Sequence, residues 1–264
     1  MNNEVSEKNH NIYFVPGLHR GLRLLEAVAV ADKPLSITEI AARLELSRSS
    51  AFRLVYTLQF MGFLRADPEG RTFELGSRVL NLGFSFLAKQ DIIQTARRDL
   101  EALRDKTGIS THLAIRDGLE VLFLDCVQTR TGFLSNVNVG TRLPAYASPM
   151  GWLMLTELPN RELSTLYKEV EFKALTENTP TDLGTLMQMI AKASSDGYVI
   201  SHGMVEQGGS SVTAPVFDQS GQIVAAIDIS GPDNAFDQKN DETFYIEAVL
   251  EAAGAISARL GYRP

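Results

Sequence analysis

Arg48 and Arg53, together with Ser47, Ser49, Ser50, Phe52 and Tyr56, are the residues of this chain whose types and spacing point most directly to a chemistry. In a helix opened by Ser47, the residues Ala51, Leu54, Val55 and Leu58 recur at i, i+3, i+4 and i+7 and form one apolar stripe. The opposite side then carries Arg48, Ser49, Phe52, Arg53 and Tyr56. Short hydroxyls and free backbone N–H groups at a helix start suit phosphate oxygens, and a guanidinium fork suits guanine, so this side matches the major groove of duplex DNA.

The flanking elements place that helix. Ser36-Ile-Thr-Glu39 is a capping box that opens a preceding helix, whose Ile37, Ile40, Ala41 and Leu44 share one face. A break at Glu45-Leu46 separates the two helices. Gly62-Phe-Leu-Arg-Ala66, a turn Asp67-Pro-Glu-Gly70 and Arg71-Thr-Phe-Glu-Leu75 form a hairpin flanked by Arg65 and Arg71. An earlier helix is expected to bury Leu18, Leu22, Leu25 and Ala29. Together these elements predict a winged helix-turn-helix over residues 12–75. Arg20, Arg23, Thr38, Arg65 and Arg71 join the recognition side as candidate DNA-facing residues. A helical subdomain of an enzyme with solubilising arginines is the competing reading, and the concordance of first helix, helix pair and hairpin favours DNA.

The formal net charge of −7 argues against a nucleic-acid binder only if charge is evenly spread. Residues 1–80 hold ten Lys/Arg and nine Asp/Glu, so the excess of acid lies in the remainder. Attraction to phosphate is screened beyond about 10 Å at ordinary salt, so the local face decides. The single cysteine, Cys126, excludes an internal disulfide and a cysteine-cluster zinc site. The four histidines, at 10, 19, 112 and 202, show no ligand spacing. Nucleotide-binding, nucleophile-elbow and zinc-protease motifs are absent, so no catalytic residues, metal or cofactor are expected. Residues 1–12 have no apolar signal core and no stretch could span a bilayer, so a cytoplasmic protein without membrane contact is expected.

A linker helix is expected over 76–90, in a helical pattern that runs on to a cap at Gly108, with an effector-binding and oligomerisation domain over 91–264. There the period turns to two: Thr111 to Arg116 and Val121 to Val127 read as a hairpin around Arg116-Asp-Gly118. Helices near 147–157, 160–170 and 182–196, strands at 198–201, 211–217 and 222–230, and a last helix at 241–260 predict an antiparallel α+β domain. Alternation along Ile223 to Ser230 places Asp228 and Ser230 on one face of an apolar strand, either paired internally or facing a ligand. In Leu143 to Trp152, Ser148 would cap a helix starting at Pro149, and its free N–H groups, with Arg142, would favour a carboxylate. Asp228 would oppose one unless it accepts a ligand hydroxyl, a pair of demands that a hydroxylated aromatic acid meets.

Several separated stretches resemble the IclR family of bacterial transcription regulators in the right order. They are Gly21-Leu-Arg-Leu-Leu-Glu26, Ser36 to Leu46, Ser47 to Gly62-Phe63, Gly140-Thr-Arg-Leu-Pro-Ala145, Gly197-Tyr198, Ala214-Pro215-Val216 and Gly221 to Gly231. The resemblance implies a dimeric or tetrameric repressor or activator with a GAF-like C-terminal domain that binds a small metabolite. It implies a ligand between the Ser148 to Gly151 loop, which holds Met150, the strand around Thr213 to Pro215, and Asp228 with Ser230, with Cys126 on an adjoining strand; Tyr146 and Trp152 flank that loop as further candidates. The Gly-Thr-Arg-Leu-Pro-Ala-Tyr run is similar to the subgroup governing aromatic-acid and β-ketoadipate catabolism. That subgroup usually continues Ser-Met-Gly-Arg where this chain has Pro149-Met-Gly-Trp152, and its acidic pair after Gly-Tyr is replaced by Gly203-Met204, which implies an altered pocket rim. The expected function is therefore a ligand-responsive regulator that binds a pseudo-palindromic duplex operator, a small organic acid and further copies of itself. The alternatives are a small-acid enzyme using Asp228 and a histidine, and a DNA-binding protein whose second domain only oligomerises.

Overall fold

The computed structural model describes residues 13–129, 137–236 and 241–263, and the chain divides after Lys89 into two compact units. The expected domain start at residue 12 and the polar segment 1–12 lie outside the described residues.

The first unit runs α1 (Pro16–Ala29), β1 (Leu35–Ser36), α2 (Ile37–Arg43), α3 (Arg48–Phe60), β2 (Leu64–Ala66), β3 (Thr72–Leu75) and α4 (Arg78–Leu87). The capping box forms at α2: Ser36 Oγ accepts the Glu39 N–H at 3.3 Å, and Glu39 Oε2 accepts the Ser36 N–H at 2.8 Å. Ser47 Oγ accepts the Ser50 N–H at 3.2 Å and starts α3. Ile40 and Ala41 from α2 meet Ala51 and Val55 from α3 in one core with Leu35, Leu64 and Phe73. The first helix departs from expectation. Leu24 and Val28 enter the core while Leu18 and Leu22 point outward, 63% and 53% exposed. Leucines at 18, 22, 24 and 25 offer two overlapping stripes, and spacing alone does not choose between them.

The hairpin is a three-stranded sheet in the order β1-β3-β2, because Leu35 pairs with Phe73. A two-residue strand is too short to show a period, so β1 was invisible in the sequence. In the turn, the Asp67 carboxylate accepts the Arg71 N–H at 2.6 Å and the Thr72 N–H at 3.1 Å. Those backbone bonds, Thr72 first, hold its carboxyl below the usual range. Gly70 closes the turn at φ +70°, where a side chain would be strained.

The second unit contains α5 (Asp91–Thr107), β4 (Thr111–Asp117), β5 (Glu120–Val127), β6 (Arg142–Pro144), α6 (Pro149–Leu155), α7 (Asn160–Leu166), α8 (Leu183–Asp196), β7 (Val199–His202), β8 (Gly209–Phe217), β9 (Ile223–Pro232) and α9 (Glu242–Arg259). The six strands form one sheet in the order β6-β5-β4-β9-β8-β7, antiparallel throughout. With the first unit this is the expected α+β architecture. The β4–β5 turn sits one residue later than expected: Asp117 pairs with Glu120, leaving Gly118-Leu119 as the turn, with Gly118 at φ +64°. One sheet face takes α5 and α9; the Thr111 hydroxyl donates to the Leu100 carbonyl at 3.0 Å, and Ser257 Oγ accepts the Phe217 N–H at 2.9 Å. On the other face Ala114 and Ala226 pack with Met150 and Leu153 of α6 and Leu186 and Ile190 of α8. Among the described residues no helix is long and apolar enough to cross a membrane.

The capping box makes a direct test. The Ser36 backbone N–H, then its hydroxyl, lower the Glu39 carboxyl from 4.5 to about 2. A depressed carboxyl contributes stability above pH 4.5 that is lost as the pH falls towards 2. In an NMR titration Glu39 should titrate near 2; in Ser36→Ala, which removes the hydroxyl but keeps the backbone N–H, it should rise only part of the way towards 4.5, and the lost Ser36 cap should cost about 1 kcal/mol of stability.

Candidate functional site

The recognition side of α3 is open. Arg48, Ser49, Phe52, Arg53 and Tyr56 are exposed while Ala51 and Val55 on the reverse are buried. Among the described residues neither Arg48 nor Arg53 has a carboxylate partner. Arg20 and Arg23 on α1 and Thr38 on α2 are also exposed. The wing arginines differ: Arg65 Nε lies 2.8 Å from Glu74 Oε1, and Arg71 Nη1 3.2 Å from Glu69 Oε2. Both pairs are solvent-exposed and therefore weak, so a phosphate could displace the carboxylate at little cost.

The second unit holds a cavity of about 290 Å³ on the α6 side of its sheet. The register builds it. Ser201 on β7 faces Ser211 on β8, which faces Ser230 on β9, and Asp228 faces His112 on β4. Phe123, Leu143, Pro149, Met150 and Met204 supply apolar wall, while Ser148, Ser201, Ser210, Ser211, Ser230 and Asp228 supply polar groups. Glu206 and Gln207 also line it, and no lysine, arginine or histidine does among the described residues. His112 is fully buried, its Nδ1 2.7 Å from Asp228 Oδ1 and 3.2 Å from Ser230 Oγ. With Asp228 ionised, Nδ1 must carry the proton and donate it. His112 Nε2 has no hydrogen-bond partner among the described residues, and the ring lies edge-on to Phe123 at 5.8 Å.

Of the residues expected to meet a ligand, Ser148, Met150, Asp228 and Ser230 are brought together in the cavity wall. Six others are not in that wall. Tyr146 is buried with its hydroxyl accepting the Lys173 N–H at 2.8 Å, and Trp152 donates its indole N–H to the Tyr146 carbonyl at 2.7 Å. Gly151 is fixed by packing: a Cβ there would lie 2.1 Å from the Ala145 carbonyl oxygen. Thr213 and Pro215 share the cavity-side alternation with Ser211 but lie further along β8, and Thr213 Oγ1 is buried with no hydrogen-bond partner among the described residues. Cys126 lies opposite His112 on β5, its thiol pushed up to about 12 by burial, then by Asp228 and Asp125. Ser148 occupies the N-cap position of α6 without a capping bond. Arg142 lies on β6, tied to Asp117 at 2.6 Å and Glu120 at 2.8 Å, and is absent from the wall. Sequence reasoning missed Phe123, Leu143, Ser201, Met204, Ser210 and Ser211. For Phe123, Leu143, Ser201 and Ser211 the signal was the alternation of neighbouring strands, which becomes readable only once the strand order is known; Ser210 lies on the other alternation of β8 and Met204 follows β7, and no strand pattern marks either.

A winged helix-turn-helix with an open arginine-bearing helix, followed by a sheet domain enclosing a small polar-lined cavity, defines a DNA-binding regulator with a small-molecule site. Comparison with known proteins gives the family: the model described as "Bacterial transcriptional regulator IclR C-terminal" matches residues 84–258, and the "IclR helix-turn-helix domain" matches residues 17–68. The chain belongs to the IclR family, a family of transcription regulators rather than enzymes. It is 28% identical to the HTH-type transcriptional regulator XynR of Escherichia coli, over 94% of this chain and 98% of that protein. It is 30% identical to the Pca regulon regulatory protein of Pseudomonas putida, over 82% of this chain and 74% of that one. Among solved structures, an IclR homolog from Microbacterium hydrocarbonoxydans complexed with 4-hydroxybenzoate superposes with a TM-score of 0.77 at 26% identity, covering 92% of this chain and 98% of the other.

Gly151 separates packing from binding. Gly151→Ala should destabilise the second unit by on the order of 3 kcal/mol, because the methyl meets fixed backbone. Thermal denaturation checks this; an unchanged melting temperature would contradict the close approach of α6 to Ala145.

Proposed function

We propose that this regulator binds a pseudo-palindromic duplex operator as a homo-oligomer and that a small hydroxylated aromatic acid, bound in the second unit, changes its affinity for that operator. On this reading the site of action is the bacterial cytoplasm, where the operator lies. The observation that carries the effector class is Asp228, paired with His112, in a cavity otherwise walled by apolar side chains and serine hydroxyls, with Glu206 and Gln207 also in its lining. A buried carboxylate repels a second carboxylate and attracts a hydroxyl donor, so the ligand hydroxyl belongs at Asp228. With no cation in the wall among the described residues, the ligand carboxylate is left to the hydroxyls of Ser148, Ser201, Ser211 and Ser230, the Gln207 amide and backbone N–H groups. The cavity volume sits near the lower end of the usual range for ligand pockets, about 300–1,000 Å³, which suits one ring. The complex of the Microbacterium homolog with 4-hydroxybenzoate supports the same chemistry.

Self-association is supported by α4, the linker between the helix-turn-helix at 12–75 and the effector domain at 91–264 in the proposed division of the chain. Val79, Leu80, Leu82, Phe84, Phe86 and Leu87 make it apolar over most of its circumference, yet none of its residues is buried. Leu18 and Leu22 of α1 are exposed as well. Apolar helices of this kind are covered in the working assembly, and a two-fold operator calls for a second copy.

Two measurements test the proposal. Saturating 4-hydroxybenzoate should raise the melting temperature, by about 2.7 kcal/mol of linkage at a hundred times Kd, while benzoate acts weakly and Asp228→Asn loses the distinction. If no hydroxylated aromatic acid shifts melting or operator affinity, the effector class is wrong. Arg48→Ala and Arg53→Ala should each weaken operator binding and reduce its salt slope by about 1 if the contact is to phosphate, or cost about 1–3 kcal/mol and relax specificity if it is to guanine. Unchanged binding in both variants would remove α3 as the reading helix.

A further inference from the structure

We propose that the Phe52 ring reads the 5-methyl group of a thymine in each operator half-site; this rests on α3 entering the major groove. Phe52 stands in the second turn of α3, one turn after Arg48 and next to Arg53, both free of carboxylate partners among the described residues. The ring is 54% exposed and Tyr56, one turn further, is 62% exposed. The two rings stack at 6.5 Å with their planes 26° apart, so Tyr56 backs Phe52 and restricts where it can point. Arg48, Phe52 and Tyr56 thus form one row along the outer side of the helix, a cation followed by two aromatic rings.

The major groove leaves little choice for such a ring. Base edges there present hydrogen-bond donors and acceptors, and the thymine methyl is their one apolar group. A phenyl ring set against a G·C edge covers polar atoms and returns no hydrogen bond, whereas against thymine it buries a methyl group. Phe52 therefore favours thymine and disfavours cytosine at the position it meets, beside a base or phosphate held by Arg48 or Arg53. Removing one buried methyl costs about fourfold in affinity, at roughly 0.8 kcal/mol per carbon.

The test uses the full chain and duplexes selected by it from a random-sequence pool at low salt. Each thymidine of the selected half-site is replaced in turn by deoxyuridine, which keeps every hydrogen-bonding group and lacks only the methyl. Anisotropy titration at fixed salt should find a position where the exchange weakens binding about fourfold, and about sixteenfold when made in both half-sites. Phe52→Ala, an exposed substitution whose melting temperature is measured alongside, should bind thymidine and deoxyuridine duplexes equally. Equal binding of the two duplexes by the unaltered protein at every position overturns the inference, and so does discrimination that persists in Phe52→Ala. If the folded protein retains no duplex from the pool, the inference and the reading of α3 fall together; binding without thymidine discrimination overturns the inference alone.

Discussion

A carboxylate buried in an apolar sheet has to be compensated, and in the second unit that requirement falls on Asp228 and His112. The two stand directly opposite each other on β9 and β4, where the Nδ1 to Oδ1 distance is 2.7 Å. Slipping the pairing by one residue would turn His112 towards α5 and α9 and leave Asp228 facing Leu113, a buried charge against an alkyl chain. Removing one member of a buried pair typically costs 3–5 kcal/mol, so the pair disfavours any other register. The same alternation sends Leu113, Ile227 and Ile229 to the helical side, and the groups it leaves on the opposite face become the base of the cavity. Cys126 adjoins the pair on the far side, and with its thiol pushed up to about 12 it acts as a small packing group rather than a nucleophile.

The first unit solves the opposite problem, since its arginines are useful only if left unsatisfied. Arg48 and Arg53 stand on α3 without acidic partners among the described residues, while Arg65 and Arg71 of the hairpin are held by Glu74 and Glu69. Exposed pairs contribute little to stability, so the hairpin glutamates act mainly to lower the attraction of that element for any phosphate backbone. On the proposed reading, discrimination is then concentrated on α3, where geometry matters, rather than spread over a generally basic surface. The excess of acid beyond residue 80 works in the same direction by discouraging adsorption through the second unit.

What was legible in the sequence follows from the range of each signal. The capping box at Ser36, the cap at Ser47 and the two-sided pattern of α3 are local, within one turn or two, and all form as spacing dictates. The stripe of α1 is ambiguous in the sequence because two leucine rows overlap, and only the tertiary core chooses Leu24 and Val28. Strands β1 and β6 are too short to have a period. In the cavity, Asp228 and Ser230 were readable from their own strand, whereas the partner His112 lies 116 residues away and is assigned only by strand order. Trp152 and Gly151 looked like ligand groups because they neighbour Ser148 and Met150 in sequence. A helix turns successive residues through about 100°, so neighbours two apart face different ways, and these two face the core.

The helix α4 joins these two solutions. An effector can shift an operator equilibrium only by its difference in affinity between two arrangements of the protein, about 5.5 kcal/mol for a shift from 1:99 to 99:1. On the proposed reading, a ligand of one ring in a cavity of about 290 Å³ supplies a limited part of that, which favours a response built from several copies acting on one operator over a change within a single α3. The recognition side of α3 is already open and its core already packed, so little remains there for a ligand to rearrange. In the proposed homo-oligomer, spacing between two copies of α3 is the more sensitive variable, because half-sites would lie a fixed helical turn apart and a displacement that breaks one set of contacts would cost both phosphate and base interactions. On the proposed reading, a linker that is apolar but unburied in a single chain is the element whose partners can change without unfolding either unit.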